Sequence, residues 1–109
     1  MIKKPWGSYE VLSEGEGYKI KKITVNKDQR LSLQSHRYRA EVWSILEGRG
    51  MFTLGESEIF FGAGAVMNIN QGVKHRISAK EKVTFIEIQR GDILEEEDII
   101  RYSDDYNRV

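Results

Sequence analysis

Short apolar segments alternate with glycine-rich or polar breaks along most of the chain. Stretches rich in Val, Ile, Phe and Tyr recur at 8–12, 18–25, 31–36, 41–47, 50–54, 57–61, 65–69, 75–79 and 83–89. Each has the length and the β-branched or aromatic content of a strand. Between them lie Glu14-Gly15-Glu16-Gly17, Glu47-Gly48-Arg49-Gly50, Gly55-Glu56 and Gly62-Ala63-Gly64, where glycine reaches the backbone angles that tight turns demand. Many short strands at even spacing predict an all-β sandwich or barrel. Helix is predicted only near the end, where Asp92 caps a short turn through Leu94, Glu95 and Glu96, and Glu97-Asp98-Ile99-Ile100 carries the chain over the barrel. The polar run Ser103-Asp104-Asp105-Tyr106-Asn107-Arg108 is expected to fray or to dock on a neighbouring subunit.

The 109 residues suit one domain, 1–109, without an internal boundary, because a chain of about this size buries a core unaided. An N-terminal arm, about 1–10, and a C-terminal extension, about 92–109, flank the predicted barrel. Seventeen basic and seventeen acidic residues cancel, which removes the global field that would draw the protein to nucleic acid or an anionic membrane. Neither is an expected partner. No segment approaches the roughly 18 apolar residues of a membrane span, and none follows Lys3 and Lys4 as a leader would require. A cytoplasmic location is the expectation. The absence of cysteine excludes disulfides and thiolate-based zinc sites.

Period-two geometry puts Ser32, Gln34 and His36 on one strand face and Leu31, Leu33 and Ser35 on the other. On the next strand Glu41 shares a face with Trp43 and Ile45, so its carboxylate points into the same interior. An inward carboxylate without a counter-charge is costly, and a metal ion supplies both charge and fixed geometry. His75 follows the turn-like Asn70-Gln71-Gly72-Val73-Lys74 and brings a distant imidazole across the barrel. Two nitrogens and two oxygens suit one divalent ion, with zinc first and manganese, cobalt or iron next, and not calcium, which prefers an all-oxygen cage.

The spacing Gln34-Ser35-His36, four residues, Glu41, six residues, Gly48 resembles the first motif of the cupins, with Gln34 in place of its first histidine. Gly64, five residues, Asn70-Gln71-Gly72, two residues, His75 resembles the second. More narrowly, Lys4-Pro5-Trp6-Gly7-Ser8-Tyr9-Glu10, Leu31-Ser32-Leu33-Gln34-Ser35-His36, Arg39-Ala40-Glu41 and Gly72-Val73-Lys74-His75-Arg76 resemble the C-terminal isomerase domain of type II phosphomannose isomerases. Glu87-Ile88-Gln89 and Asp104-Asp105-Tyr106 extend the likeness over nearly the whole chain. The resemblance implies a double-stranded β-helix, a metal centre on Gln34, His36, Glu41 and His75, and interconversion of mannose 6-phosphate with fructose 6-phosphate. Bifunctional members of that family carry a mannose-1-phosphate guanylyltransferase domain ahead of this one. The present 109 residues leave no room for a nucleotide-binding unit, so only the isomerase half is expected. Tyr38 and Val42 stand where the family commonly has histidine, Asn70 where it has proline and Ala79 where it has asparagine.

An aldose–ketose isomerase needs a proton carrier, a polarised pair of substrate oxygens and cations for the phosphate. Glu87, on one strand face with Phe85 and Gln89, is the candidate base, and Lys21 is the second candidate catalytic residue. Arg39 is expected on the barrel rim as a phosphate contact, with Lys74 and Arg76 as further candidates and Trp6 as an aromatic wall. A non-catalytic carbohydrate- or sugar-phosphate-binding module and an iron-dependent oxygenase are the rival functions, since one fold hosts several chemistries. Open strand edges and the aromatic N-terminal segment lead to the expectation of a homodimer, by strand pairing or arm exchange.

Overall fold

Eleven strands and no helix form among residues 1–108, the residues the computed structural model describes. They are β1 (Ile2–Lys4), β2 (Gly7–Gly15), β3 (Tyr18–Val25), β4 (Leu33–Ser35), β5 (Arg39–Glu47) and β6 (Gly50–Leu54). The remainder are β7 (Ser57–Phe61), β8 (Val66–Ile69), β9 (His75–Ala79), β10 (Val83–Gly91) and β11 (Ile100–Ser103). One sheet has the order β1-β2-β3-β10-β5-β8 and the other β11-β4-β9-β6-β7. Every strand pairing is antiparallel.

Alternation within the long strands divides the interior into an apolar end and a polar end. On β5 the buried positions are Arg39, Glu41, Trp43 and Ile45, and on β10 they include Val83, Phe85, Glu87 and Gln89. Register pairs Phe85 with Ile23 and Ile45, and two residues further along pairs Glu87 with Lys21 and Trp43 and Gln89 with Glu41. Cross-strand partners share a face. The apolar half therefore collects Ile23, Val25, Ile45, Phe52, Ile77, Val83 and Phe85 into one core, while charged side chains converge at the other half. Trp43 marks the border, with its ring 4.6 Å from Phe85, 5.7 Å from Phe52 and 5.3 Å from His75, centroid to centroid.

The turn at Gly48 is built for glycine. Its φ is +91°, and a Cβ there would meet the Lys82 carbonyl oxygen at 2.1 Å.

Three sequence expectations are corrected. The 31–36 segment is a strand only over β4, because Leu31 and Ser32 are both buried and the backbone of Leu31 donates to Ile77 O at 3.0 Å. Strict alternation fails there, and Leu31 joins the core. No helix follows Asp92: Glu95 O closes a single turn with Asp98 N at 3.1 Å and also accepts from Arg39, while Leu94 O accepts from Lys19. The chain continues instead into β11, which pairs with β4. Nor does the polar tail fray within the described residues. Asp105 is bound in two-pronged fashion by Arg30, Tyr106 donates to Gln29, and Asp104 grips Arg108. In the N-terminal segment β1 pairs with β2, and Trp6 lies in the core.

Candidate metal centre

The polar end brings three ligand-type residues together. Glu41 comes from the middle of β5, His75 opens β9, and His36 stands just past β4. One ligand atom from each lies within 4.8 Å of the others, and all three residues are buried. Gln34 sits directly across from His75 in the β4–β9 register and half-buried. Its amide nitrogen donates to Ser32 O at 3.3 Å and Ser32 Oγ at 3.1 Å, which commits the nitrogen and leaves Oε1 as its available atom.

The hydrogen bonds fix the histidine tautomers. His36 Nδ1 lies 2.7 Å from the Asp98 carbonyl and His75 Nδ1 lies 2.9 Å from the Val73 carbonyl. A carbonyl oxygen only accepts, so each Nδ1 carries the proton and each neutral ring keeps its lone pair on Nε2. Burial pushes both imidazoles down to about 4, with the Arg39 charge a second cause at His36. Both are therefore unprotonated near neutrality. Those lone pairs face a carboxylate: His36 Nε2 is 3.4 Å from Glu41 Oε2, and His75 Nε2 is 3.7 Å from Glu41 Oε1. His75 Nε2 is buried with no hydrogen-bond partner.

Arg39 Nη2 lies 3.4 Å from His36 Nε2 and offsets part of this crowding of acceptors, whereas a cation at the cluster would also give His75 Nε2 the partner it lacks. Ligand atoms about 2.0–2.1 Å from a tetrahedral ion stand about 3.4 Å apart, close to the two separations found. Backbone carbonyls orienting both rings through Nδ1 is the support that ligating histidines ordinarily have. The donor set thus fits a divalent metal of the zinc type. Glu41 is further held by Trp43 Nε1, which donates to Oε1 at 2.9 Å, and by Arg39 Nε, which donates to Oε2 at 2.8 Å. Burial raises the Glu41 carboxyl, with Arg39 opposing.

Beside this cluster lies a cavity of about 120 Å³. Glu87, Lys21, Arg39, Gln34 and Trp6 all line it. Glu87 is fully enclosed, bonded to Gln89 Nε2 at 2.6 Å, and pushed up to about 7 by burial and then by the Glu41 charge. Lys21, its cross-strand partner, is tied to both Glu96 oxygens at 2.9 and 2.8 Å. Arg39 is not on the rim as expected but buried, because period two carries it to the same face as Glu41. Lys74 and Arg76 do not line the cavity. Flanking His75, they project to the opposite face, where Lys74 lies over the Tyr102 ring and Arg76 donates to Leu31 O and Ser103 O. Trp6 is both a core residue and a cavity wall. Tyr38 is 45% exposed and neither it nor Val42 reaches the cavity, so these two departures from the resembled family lie outside it.

Lys4, in the segment expected to close over the barrel opening, also lines the cavity, as do Tyr9, Glu96, Arg101 and Arg108, which the sequence did not point to as site residues. They come from the two ends of the chain, both of which were expected to pass over the barrel, but no local pattern says which of their side chains meet there.

Two antiparallel sheets wrapped as a double-stranded β-helix, with histidines and a carboxylate converging inside, define a cupin. The fold agrees with that of a cupin-2 domain protein from Rhodospirillum rubrum, with a TM-score of 0.70 at 22% identity, over 83% of this chain and 66% of that one. Within the cupins, the chain belongs to the family described as mannose-6-phosphate isomerase C-terminal, whose model matches residues 1–104. Among curated relatives, the xanthan biosynthesis protein XanB of Xanthomonas campestris pv. campestris is 37% identical, over 99% of this chain and 24% of its own length. The mannose-1-phosphate guanylyltransferase ManC of Salmonella typhimurium is 34% identical, over 99% and 23%. The chain thus spans about a quarter of the length of these relatives.

Proposed function

We propose that this chain is a metal-dependent sugar-phosphate isomerase that interconverts mannose 6-phosphate and fructose 6-phosphate, with Gln34, His36, Glu41 and His75 holding one divalent ion. Zinc is the first choice for two imidazoles and two oxygens, followed by manganese, cobalt and iron. The family supports the substrate class. The observation that carries the chemistry is Glu87: a carboxyl raised to about 7 by burial, lining the same cavity as Gln34 and Arg39.

An aldose and its ketose differ by one proton moved between adjacent carbons and one moved between their oxygens. A carboxyl whose affinity for protons matches the working pH serves best as the carrier, because it takes and returns a proton with similar ease. Glu87 takes the proton from C2 and returns it to C1, and Gln89 Nε2 holds its Oε1 in place. Lys21 stands across the strand pair from Glu87 as a fixed cation, anchored by Glu96. Trp43 and Arg39 hold Glu41 so that the ligand cluster keeps its orientation while the sugar exchanges. A divalent ion bound there supplies Lewis acidity toward the sugar's C1 and C2 oxygens. The C-terminal segment contributes Glu96 and Ile99 to the cavity wall.

The test is a coupled assay of mannose 6-phosphate conversion on chelator-stripped chain, repeated after adding zinc, cobalt or manganese. Turnover restored by metal is the expected result. A folded, metal-loaded chain with no turnover would overturn the isomerase reading and leave a binding module.

A further inference from the structure

Five cationic side chains line the cavity, namely Lys4, Lys21, Arg39, Arg101 and Arg108. Three are already matched by carboxylates: Lys21 by Glu96, Arg39 by Glu41 and Arg108 by Asp104. Arg101 is not. Its Nε is buried without a hydrogen-bond partner, and it forms no salt bridge among the described residues. Lys4 likewise has no carboxylate partner there, its ammonium lying 5.9 Å from the Tyr9 ring centroid. Burial and then the nearby Arg108 charge push the Arg101 guanidinium below its usual value, with Asp104 opposing. Arg101 as a whole is half-buried, but a buried Nε–H without an acceptor is costly, and an anion relieves it.

The strand register says where that anion would sit. Arg101 on β11 pairs with Gln34 on β4, and Gln34 pairs with His75 on β9. Direct partners on neighbouring antiparallel strands share a face. Arg101, Gln34 and His75 therefore form one inward row, with the arginine two strand spacings, roughly 10 Å, from His75 along the backbone. That span is comparable to an open-chain six-carbon monophosphate laid with its carbonyl end at the histidines.

We infer that Arg101, assisted by Arg108 and Lys4, forms a subsite for a phosphate monoester dianion in this cavity, which Gln34, Arg39 and Trp43 border on the side of the ligand cluster while His36, Glu41 and His75 themselves do not line it. The identity of the sugar attached to it rests on the isomerase reading above. The planar guanidinium offers Nε–H and Nη–H donors in a fork that fits two phosphate oxygens, which a lysine would not supply. Asp104 orients Arg108 by accepting from its Nε at 2.7 Å and its Nη2 at 2.9 Å. The subsite is assembled from the two chain ends, with β1 contributing Lys4 and β11 and the tail contributing the arginines.

The experiment uses zinc-loaded full chain at low ionic strength, titrated with inorganic phosphate, mannose 6-phosphate or unphosphorylated mannose. Nitrogen-15 NMR follows the Arg101 Nε–H signal, and calorimetry compares wild type with Arg101→Gln and with Lys74→Gln, a cation outside the cavity. Phosphate and mannose 6-phosphate are expected to shift the Arg101 signal while mannose alone does not. Arg101→Gln is expected to weaken phosphate binding about tenfold or more, the loss of a charge-assisted hydrogen bond, with Lys74→Gln equal to wild type. In turnover, KM for mannose 6-phosphate rises by a similar factor and kcat falls less, because the phosphate does not react. An Arg101 signal indifferent to phosphate overturns the subsite, and this readout on wild type decides the matter even if Arg101→Gln fails to fold. Isomerisation with an unchanged KM in a folded Arg101→Gln also overturns it while sparing the isomerase reading. Phosphate binding that depends on Arg101 in a chain that turns nothing over keeps the subsite and overturns that reading.

Discussion

Chelating the metal and restoring it is expected to move the melting temperature of this protein by an amount that can be worked out beforehand. The metal-free cluster leaves His75 Nε2 buried without a partner and turns two imidazole lone pairs toward one carboxylate. A ligand that binds only the folded chain, present at a hundred times its Kd, stabilises by about 2.7 kcal/mol. For 109 residues, an unfolding entropy near 2.1 cal/mol/K per residue makes each kcal/mol worth about 4 °C, so zinc at that excess raises Tm by about 12 °C. His75→Ala removes a ligand, and a hundredfold loss of affinity at the same free zinc leaves only about 0.4 kcal/mol, or about 2 °C. The assay is thermal unfolding followed by circular dichroism, with chelator and then with buffered free zinc, on wild type and His75→Ala. A wild-type Tm indifferent to zinc, or the full rise surviving in His75→Ala, would refute the reasoning.

Glu87→Gln is expected to cut mannose 6-phosphate turnover by about 10²–10⁴-fold with zinc content unchanged, and wild-type kcat/KM is expected to climb through about pH 7 as the carboxylate forms. The same group links stability to pH in the chelated protein. Its folded value is raised from 4.5 to about 7, so its contribution is fully present below about 4.5 and is lost as pH rises through about 7. Glu87→Gln, neutral at every pH, is therefore expected to gain on wild type by up to about 3 kcal/mol between pH 5 and pH 8, and a constant difference in urea titrations would contradict this. Gly48→Ala combines a φ of +91° with a Cβ 2.1 Å from Lys82 O, whereas Gly64 has a φ of +92° with nothing within 4 Å. Thermal melts are expected to show a loss of about 3 kcal/mol or more at Gly48 and about 1 kcal/mol at Gly64, and equal losses would remove the steric part of the argument.

Most strand positions could be read directly, because a strand with one wet face and one dry face writes period two into the sequence. Residues 41–47 and 83–89 did so clearly, and both strands are present, each extended by two residues at one end. The failures fall where a longer-range bond overrode a local pattern. Asp92 has the chemistry of a helix cap, yet side chains from β3 and β5 hold the carbonyls of Leu94 and Glu95. Arg39 is a different case: it was expected on the rim as a phosphate contact, yet its own strand phase, two residues before Glu41, carries it inside against that carboxylate.

By itself, then, the sequence determined that the chain is a many-stranded barrel, that Glu41 points inward with Trp43, and that the spacing of Gln34, His36, Glu41 and His75 resembles the cupin motifs, of which His36, Glu41 and His75 come together. Those are matters of local periodicity and motif spacing, which the backbone imposes residue by residue. Only the tertiary structure decided which cations meet the cavity. Arg101 and Arg108 line it while Lys74 and Arg76 do not, because β11 adds itself to β4 and brings a distant segment level with Gln34. The elevation of Glu87 is of the same kind, since it arises from burial and from the charge of Glu41 across the register, and neither exists until the sheets close.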